Sequence, residues 1–138
     1  MWWTYALLSA VFAALTAILA KVGVKGVDSN VATAVRTSVV LVLAWGVVAL
    51  QGNLGAVAGI SRHSLLFLVL SAGATGASWL FYFKALQLGT ASLVSAVDKS
   101  SLALTIILAA LFLGEALTLK TAIGCTLIIA GTAVIAWP

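Results

Sequence analysis

Five long apolar runs, none of them containing proline, dominate the sequence and limit what it can fold into. Each is about 18–23 residues long, which is the length that an α-helix needs to cross a bilayer. Their apolar residues are continuous rather than alternating, so helices are favoured over membrane β-strands. Without internal proline, the helices are expected to be uninterrupted. We predict an all-α integral membrane protein, a single transmembrane domain over residues 1–138, with spans at about 4–22, 31–50, 65–83, 91–113 and 118–137.

The composition excludes a water-soluble protein. Charged residues make up 7% of the 138-residue chain, against about 25% in soluble domains. The single cysteine, Cys125, excludes an internal disulfide, and the single histidine, His63, has no second histidine with which to build a metal site. We therefore predict no metal and no cofactor. The net charge of +4 is spread near the ends of the apolar runs, where it indicates membrane topology rather than nucleic-acid binding.

Residues at the ends of the runs predict where helices start and stop. Asp28 and the two residues after it are N-cap types that precede the second run, and Gly114 is a candidate stop for the fourth. Arg62 and His63 fall in the longest loop, where we expect them to be exposed. A cleaved signal peptide is the alternative interpretation of the first run, but the positive segment that begins such a peptide is missing.

Three charged side chains, Arg36, Asp98 and Lys99, lie inside apolar runs and away from the run ends. A charge near the bilayer centre costs about 2.5–3.5 kcal/mol. This cost makes them a functional-site hypothesis, with a structural ion pair as the alternative. Arg36 and Asp98 are each about two turns, or roughly 8–10 Å, from the same membrane surface. We predict an Arg36–Asp98 pair, which leaves Lys99 to snorkel to that surface or to face an aqueous cavity.

Polar and small residues divide the third run into two faces. Ser71, Thr75, Ser78 and Tyr82 recur at helical spacing, which predicts a polar face towards a cavity or a partner. The alternative is that these hydroxyls bond carbonyls of their own helix. Small residues predict close helix packing on the opposite face and in the fifth run, through Gly73, Gly76, Gly124 and Gly131.

The loops differ slightly in basic residues. Two lie on the N-terminal side and three on the other, namely Arg62 and Lys120 against Lys21, Lys25 and Lys84. Since basic loops stay in the cytoplasm, this favours an N-terminus outside and a C-terminus inside. So small a difference also permits insertion in both orientations.

The segment from Ala85 to Trp137 resembles the second half of an EamA domain, of the drug/metabolite transporter superfamily. Its landmarks are Ala85–Leu86, Asp98–Lys99, Leu113–Gly114–Glu115, Gly124 and Ala130–Gly131. The first half fits as well, with Arg36 placed like the family's second-span arginine. The sequence departs from the pattern at Val97–Asp98–Lys99, where many members have proline.

Most members of that family look like two five-span units in one chain, inverted relative to each other, whereas this sequence resembles the short branch with one unit. The resemblance implies half of a ten-helix inverted-repeat transporter in the cell (inner) membrane. Such repeats place the substrate site at their interface. The second repeat would come from another copy, most simply as an antiparallel homodimer.

The resemblance implies secondary transport of a small polar or amphipathic metabolite, and no Walker A motif is present for ATP. The predicted pathway is lined by Arg36, Ser71, Thr75, Ser78, Trp79, Tyr82, Ser95, Asp98 and Lys99. We expect Lys99 to contact the substrate while the other two charges set its field; the excess of bases favours anions, amino acids or zwitterions. The alternative is a non-transporting subunit or half-unit that needs a heterologous partner, in which Asp98 forms a structural ion pair with Arg36 or Lys99. An enzyme is not supported, because no nucleophile has a visible base.

Overall fold

The computed structural model describes residues 1–137, and Pro138 lies outside the described residues. Within residues 1–137 the chain forms six α-helices and no strand. Their bounds are α1 Trp2–Gly23, α2 Ser29–Leu50, α3 Arg62–Leu88, α4 Ala91–Asp98, α5 Ser101–Leu108 and α6 Leu119–Ala136. A 3₁₀ helix, Leu54–Gly59, lies between α2 and α3, and a π-helical turn, Ala109–Leu113, continues α5.

Among the described residues, five helical segments are long and apolar enough to cross a membrane. They are α1, α2, α3, the combined segment Ala91–Leu113 and α6. Many of their large apolar side chains are exposed on the protein surface, as a lipid environment requires of membrane spans. The predicted fold class, an all-α membrane protein with five spans, is confirmed.

The third helix is longer than its apolar run and extends over 27 residues. The run ends just before Lys84, but the helix continues because no helix-breaking residue follows until Gly89. At its start, α3 includes Arg62 and His63, so the prediction that they belong to the loop is wrong. His63 is exposed, as expected, and its ring centre lies 4.8 Å from that of Phe67.

Helix ends carry the signals that the sequence predicts. The Asp28 carboxylate accepts the backbone N–H groups of Asn30 at 2.9 Å and Val31 at 3.1 Å. These bonds satisfy donors that the start of a helix leaves without an intrahelical partner. At the other end of the membrane segment, Gly114 has a φ of +68° and stops the fourth span. This left-handed conformation is available to glycine at little cost.

Residues Leu19–Leu88 form one compact unit, which contains the end of α1 together with α2 and α3. The Lys21 ammonium group donates to the carbonyl of Leu86, in the last turn of α3. The Gln87 side-chain amide donates to the carbonyl of Val27 at 2.6 Å. The first bond satisfies a carbonyl at a helix end, where a cation is also favoured by the helix dipole. Both bonds hold the α1–α2 connection against the end of α3.

The second compact unit is formed by Met1–Ile18 together with residues 89–137, and in it α6 packs against both α4 and α5. The fourth span is not one continuous helix, because α4 ends at Asp98 and α5 begins at Ser101. The prediction of uninterrupted helices is therefore wrong for this span. Aspartate and serine form local hydrogen bonds that compete with the helix, so a span can be interrupted without proline.

Candidate functional site

The interruption of the fourth span lies at Lys99 and Ser100, where the backbone bonding changes. The Ser100 N–H donates to the carbonyl of Val97 at 3.0 Å, three residues back instead of four. The Ser100 hydroxyl donates to the same carbonyl at 2.6 Å. Leu102 likewise donates to the carbonyl of Lys99 at 3.1 Å. The chain therefore tightens into a 3₁₀-like turn between α4 and α5.

This turn removes the helical donor of the Ala96 carbonyl, because a continuous α-helix would pair that carbonyl with the Ser100 N–H. The hydroxyl of Thr132, on α6, donates to the Ala96 carbonyl instead, at 3.2 Å. Both residues are partly buried. An unpaired carbonyl inside a bilayer costs several kcal/mol, so the bond from Thr132 stabilises the interrupted conformation.

Asp98 and Lys99 form an ion pair at the interruption, with 3.6 Å between the Lys99 Nζ and an Asp98 carboxylate oxygen. The Asp98 side chain is 39% exposed and that of Lys99 is 66% exposed. Lys99 follows the first residue of α4, Ala91, by eight positions. At about 1.5 Å per residue, the pair lies roughly 12 Å into the span. A charge at this depth is tolerated where it faces water or other protein rather than lipid.

Of the two partners that the sequence offers Asp98, the structure shows a contact with Lys99. The Asp98 carboxylate contacts this neighbouring residue. The backbone keeps helical geometry at this step, since Asp98 ends α4 and Lys99 has a φ of −67°. The long, flexible Lys99 side chain makes the contact. The Arg36–Asp98 pair stays a prediction.

Arg36 lies on α2 and stacks on aromatic rings of α3. Its guanidinium carbon is 4.2 Å from the centre of the Trp79 ring and 5.6 Å from the centre of the Phe83 ring. Cation–π contacts of this kind contribute about 0.5–2 kcal/mol, and more as water is excluded. Trp79 belongs to the predicted pathway, whereas Phe83 does not. Its position four residues after Trp79, one turn along the same face, is the signal that could have found it.

The polar face of α3 is only partly available to a substrate. Thr75 donates its hydroxyl to the carbonyl of Ser71 at 2.9 Å, as the alternative interpretation of this face predicts. Ser71 and Ser78 are exposed, and the partly buried Tyr82 ring is 6.3 Å from that of Phe83 in an edge-on arrangement. On α4, the carbonyl of Ser95 accepts the backbone N–H of Lys99 at 3.2 Å.

The four glycines predicted to support helix packing have space around them. A Cβ added at any of them would meet no described atom of its own unit within 4 Å. Gly73 and Gly131 are exposed, and Gly76 and Gly124 are partly buried. Close packing through these glycines stays a prediction, and it would involve a surface beyond the unit to which each belongs.

The predicted site residues gather in two groups, one in each unit. Arg36 and Trp79 meet where α2 contacts α3, and the Asp98–Lys99 ion pair lies at the interruption of the fourth span. The predicted pathway includes neither Ser100 nor Thr132, although Thr132 lies on the small-residue face of the fifth run that predicts helix association. The run of consecutive polar residues was a signal for Ser100, but nothing in the sequence pairs Thr132 with the fourth span. Within residues 1–137, no group of three or more His, Cys, Asp or Glu side chains could hold a metal ion.

Known proteins are similar to this chain over nearly its whole length. The model of the EamA-like transporter family matches residues 1–137. The chain is 47% identical over 135 residues to a Sinorhizobium sp. protein named "Uncharacterized transporter in cobO 3'region", an alignment that covers 98% of this chain and 96% of that protein. No solved structure matches the chain. On this evidence, the chain belongs to the EamA-like transporter family.

Proposed function

We propose that this multi-pass membrane protein is a secondary transporter of small polar or amphipathic metabolites in the cell membrane, and that it works as a dimer. Family membership supports transport as the general function. The observation that carries the proposal is the exposed Asp98–Lys99 ion pair at the interruption of the fourth span. Interrupted membrane helices are a recurrent way to place polar groups at substrate and ion sites.

Exposure of the Asp98–Lys99 ion pair to lipid would be unfavourable. Lys99 is two-thirds exposed at a depth where hydrocarbon surrounds a membrane span, and charge facing lipid is costly there. An aqueous path, a second copy of the chain or both would remove that cost. A transporter that completes its pathway with a second five-span unit provides both.

The stacked Arg36 extends the proposed pathway to the first compact unit. Within Leu19–Leu88 its charge meets the rings of Trp79 and Phe83, and the acid of that unit, Asp28, caps the start of α2. Aromatic faces attract a cation without neutralising it. Arg36 can therefore still bind an anionic group, which supports anions, amino acids or zwitterions as the substrate class.

The test is the substitution Asp98→Asn, measured by uptake of radiolabelled amino acids and small carboxylates into membrane vesicles. We expect uptake to be abolished while the oligomeric state in detergent stays that of the wild type, because the side chain keeps its size but loses its charge. Asp28→Asn is the matched control, since asparagine is an equally good N-cap and uptake should be unchanged. Wild-type uptake in the Asp98→Asn vesicles would refute the proposal.

A second candidate function is a non-transporting membrane subunit. The direct contact between Asp98 and Lys99 favours it, because neighbouring charges that pair with each other can serve structure alone. In that case Asp98→Asn would dissociate the assembly. Size-exclusion chromatography of the same variant therefore separates the two candidates.

The dimer proposal has its own experiment. Reporter fusions at each terminus, expressed in cells, show which side of the membrane each terminus occupies. A mixture of both orientations would support an antiparallel homodimer. A single orientation would exclude it and leave a parallel or heterologous assembly.

A further inference from the structure

We infer that Thr132 is a positioning residue, which holds the fourth span in its interrupted conformation and so presents the Asp98–Lys99 pair. Its hydroxyl donates to the carbonyl of Ala96 at 3.2 Å, across the contact between α6 and α4. The role of this arrangement in transport rests on the proposed function. The hydrogen-bond geometry and the experiment that tests it are independent of that function, since neither needs a substrate.

The carbonyl of Ala96 has two possible donors. In a continuous helix the Ser100 N–H would pair with it, whereas in the interrupted span that N–H turns to Val97 at 3.0 Å and Thr132 takes its place. Because a bilayer penalises an unpaired carbonyl, the conformation of the span and the bond from Thr132 are linked.

Thr132 also has an alternative partner, the carbonyl four residues back in α6. Thr126 of the same helix uses that alternative and donates to Ala122 at 3.0 Å. A continuous fourth span would therefore leave neither the hydroxyl nor the carbonyl unsatisfied. The continuous and the interrupted span satisfy the same polar groups, so the hydrogen bond of one hydroxyl can decide which of them forms.

The choice affects the ion pair directly. A 3₁₀ turn advances about 120° per residue, against about 100° in an α-helix. A continuous span would therefore rotate the face of α4 that carries Asp98 and Lys99 relative to α5. Thr132 thus controls the direction in which the pair faces and, with it, the access of water to Lys99.

Access to Lys99 can be measured without knowing the substrate. We would treat the protein in lipid nanodiscs with a membrane-impermeant, amine-reactive acetylating reagent and measure modification of each lysine by mass spectrometry. Lys84, which is exposed on α3, is the internal reference. Nanodiscs leave both membrane faces open to the reagent, so orientation does not affect the result.

Thr132→Val removes the donor and keeps the side-chain shape. A side-chain hydrogen bond in a membrane protein shifts an equilibrium by about 3- to 20-fold, so we expect the Lys99 to Lys84 ratio to fall roughly twofold or more. Thr132→Ser should restore the wild-type ratio. Thr126→Val is the matched control, because it removes a hydroxyl that bonds its own helix, and its ratio should be unchanged.

A second variant keeps the test decisive if Thr132→Val folds poorly. Ser100→Ala removes the hydroxyl bond to Val97 and introduces the best helix former, so it should also lower the ratio. Adding Thr132→Val to Ser100→Ala should then have little further effect on the ratio, because the fourth span is already a continuous helix. An unchanged ratio in Thr132→Val or Ser100→Ala, or an equal fall in Thr126→Val, would overturn the inference. Loss of uptake in Asp98→Asn tests the proposed function separately.

Discussion

The third and fourth spans contain polar side chains at similar intervals, yet α3 is one helix of 27 residues and the fourth span is interrupted. In α3, Thr75 bonds the carbonyl of Ser71, within the helix that contains it. In the fourth span, Ser100 bonds a carbonyl only three residues back, and Thr132 of another helix takes the carbonyl that is released. A hydroxyl in a membrane span can therefore either leave the helix intact or help to open it.

The charged residues of the two units also differ in what surrounds them. Arg36 stacks on aromatic rings, which stabilise it without cancelling its charge. Asp98 and Lys99, at the interruption of the fourth span, contact each other. Removing a ring next to Arg36 removes an attraction, whereas removing one charge of the pair leaves an unpaired charge inside a span. The second arrangement should therefore respond more strongly to substitution.

The largest expected effect comes from leaving one charge of the ion pair alone. Asp98→Ala or Lys99→Met should each lower the free energy of unfolding by about 2–3 kcal/mol, the order of an unpaired charge in a span. The double variant should recover most of this loss, because no charge then remains without a partner. Unfolding by denaturing detergent measures all three. Lys84→Met is the control, and additive losses in the double variant would contradict the coupling.

A smaller effect is expected where Arg36 stacks on α3. Trp79→Leu should destabilise the protein by about 1–2 kcal/mol through the loss of ring packing and of the cation–π contact. Arg36→Lys should cost less, since an ammonium group keeps the charge but not the planar stacking. The control is Trp45→Leu on α2, where the ring is 48% exposed. If Trp45→Leu lowered the free energy of unfolding as much as Trp79→Leu, the contact of Trp79 with Arg36 would contribute nothing specific to stability.

The smallest effect is expected at Thr75. Because its hydroxyl bonds the carbonyl of Ser71, Thr75→Val should change the free energy of unfolding by less than about 0.5 kcal/mol. Uptake should stay within about threefold of the wild type, as for a surface substitution away from a site. The same detergent titration and vesicle assay measure both quantities. A large loss of uptake with normal stability would instead return Thr75 to the substrate pathway.

Much of the fold could be predicted from the sequence because its signals are local. Asp28 caps α2, and Gly114 ends the fourth span in a left-handed conformation, as the residue types at those positions indicate. Helix ends were harder where hydropathy and helix propensity diverge. The apolar run ends before Lys84, but the helix continues past it, because a charged residue ends a membrane span without ending a helix.

Less of the candidate site was predictable, because its contacts join residues distant in the chain. The sequence indicates that Trp79 and Arg36 are unusual residues within spans, but it does not show that one stacks on the other together with Phe83. For Asp98 it indicates a charge that needs a partner and offers both Arg36 and Lys99. The structure shows the contact with Lys99, beside a turn that the lack of proline argued against.

The sequence by itself determined that this protein is helical, has five helical segments able to cross a membrane and carries charge inside those segments, because length and hydropathy alone decide what can exist in hydrocarbon. Tertiary structure decided where the fourth span opens. That depends on Thr132, 36 residues away from Ala96 along the chain, whose hydroxyl supplies the bond that the opened backbone lacks. Only packing of α6 against α4 brings the two groups together, and no local pattern encodes such a contact.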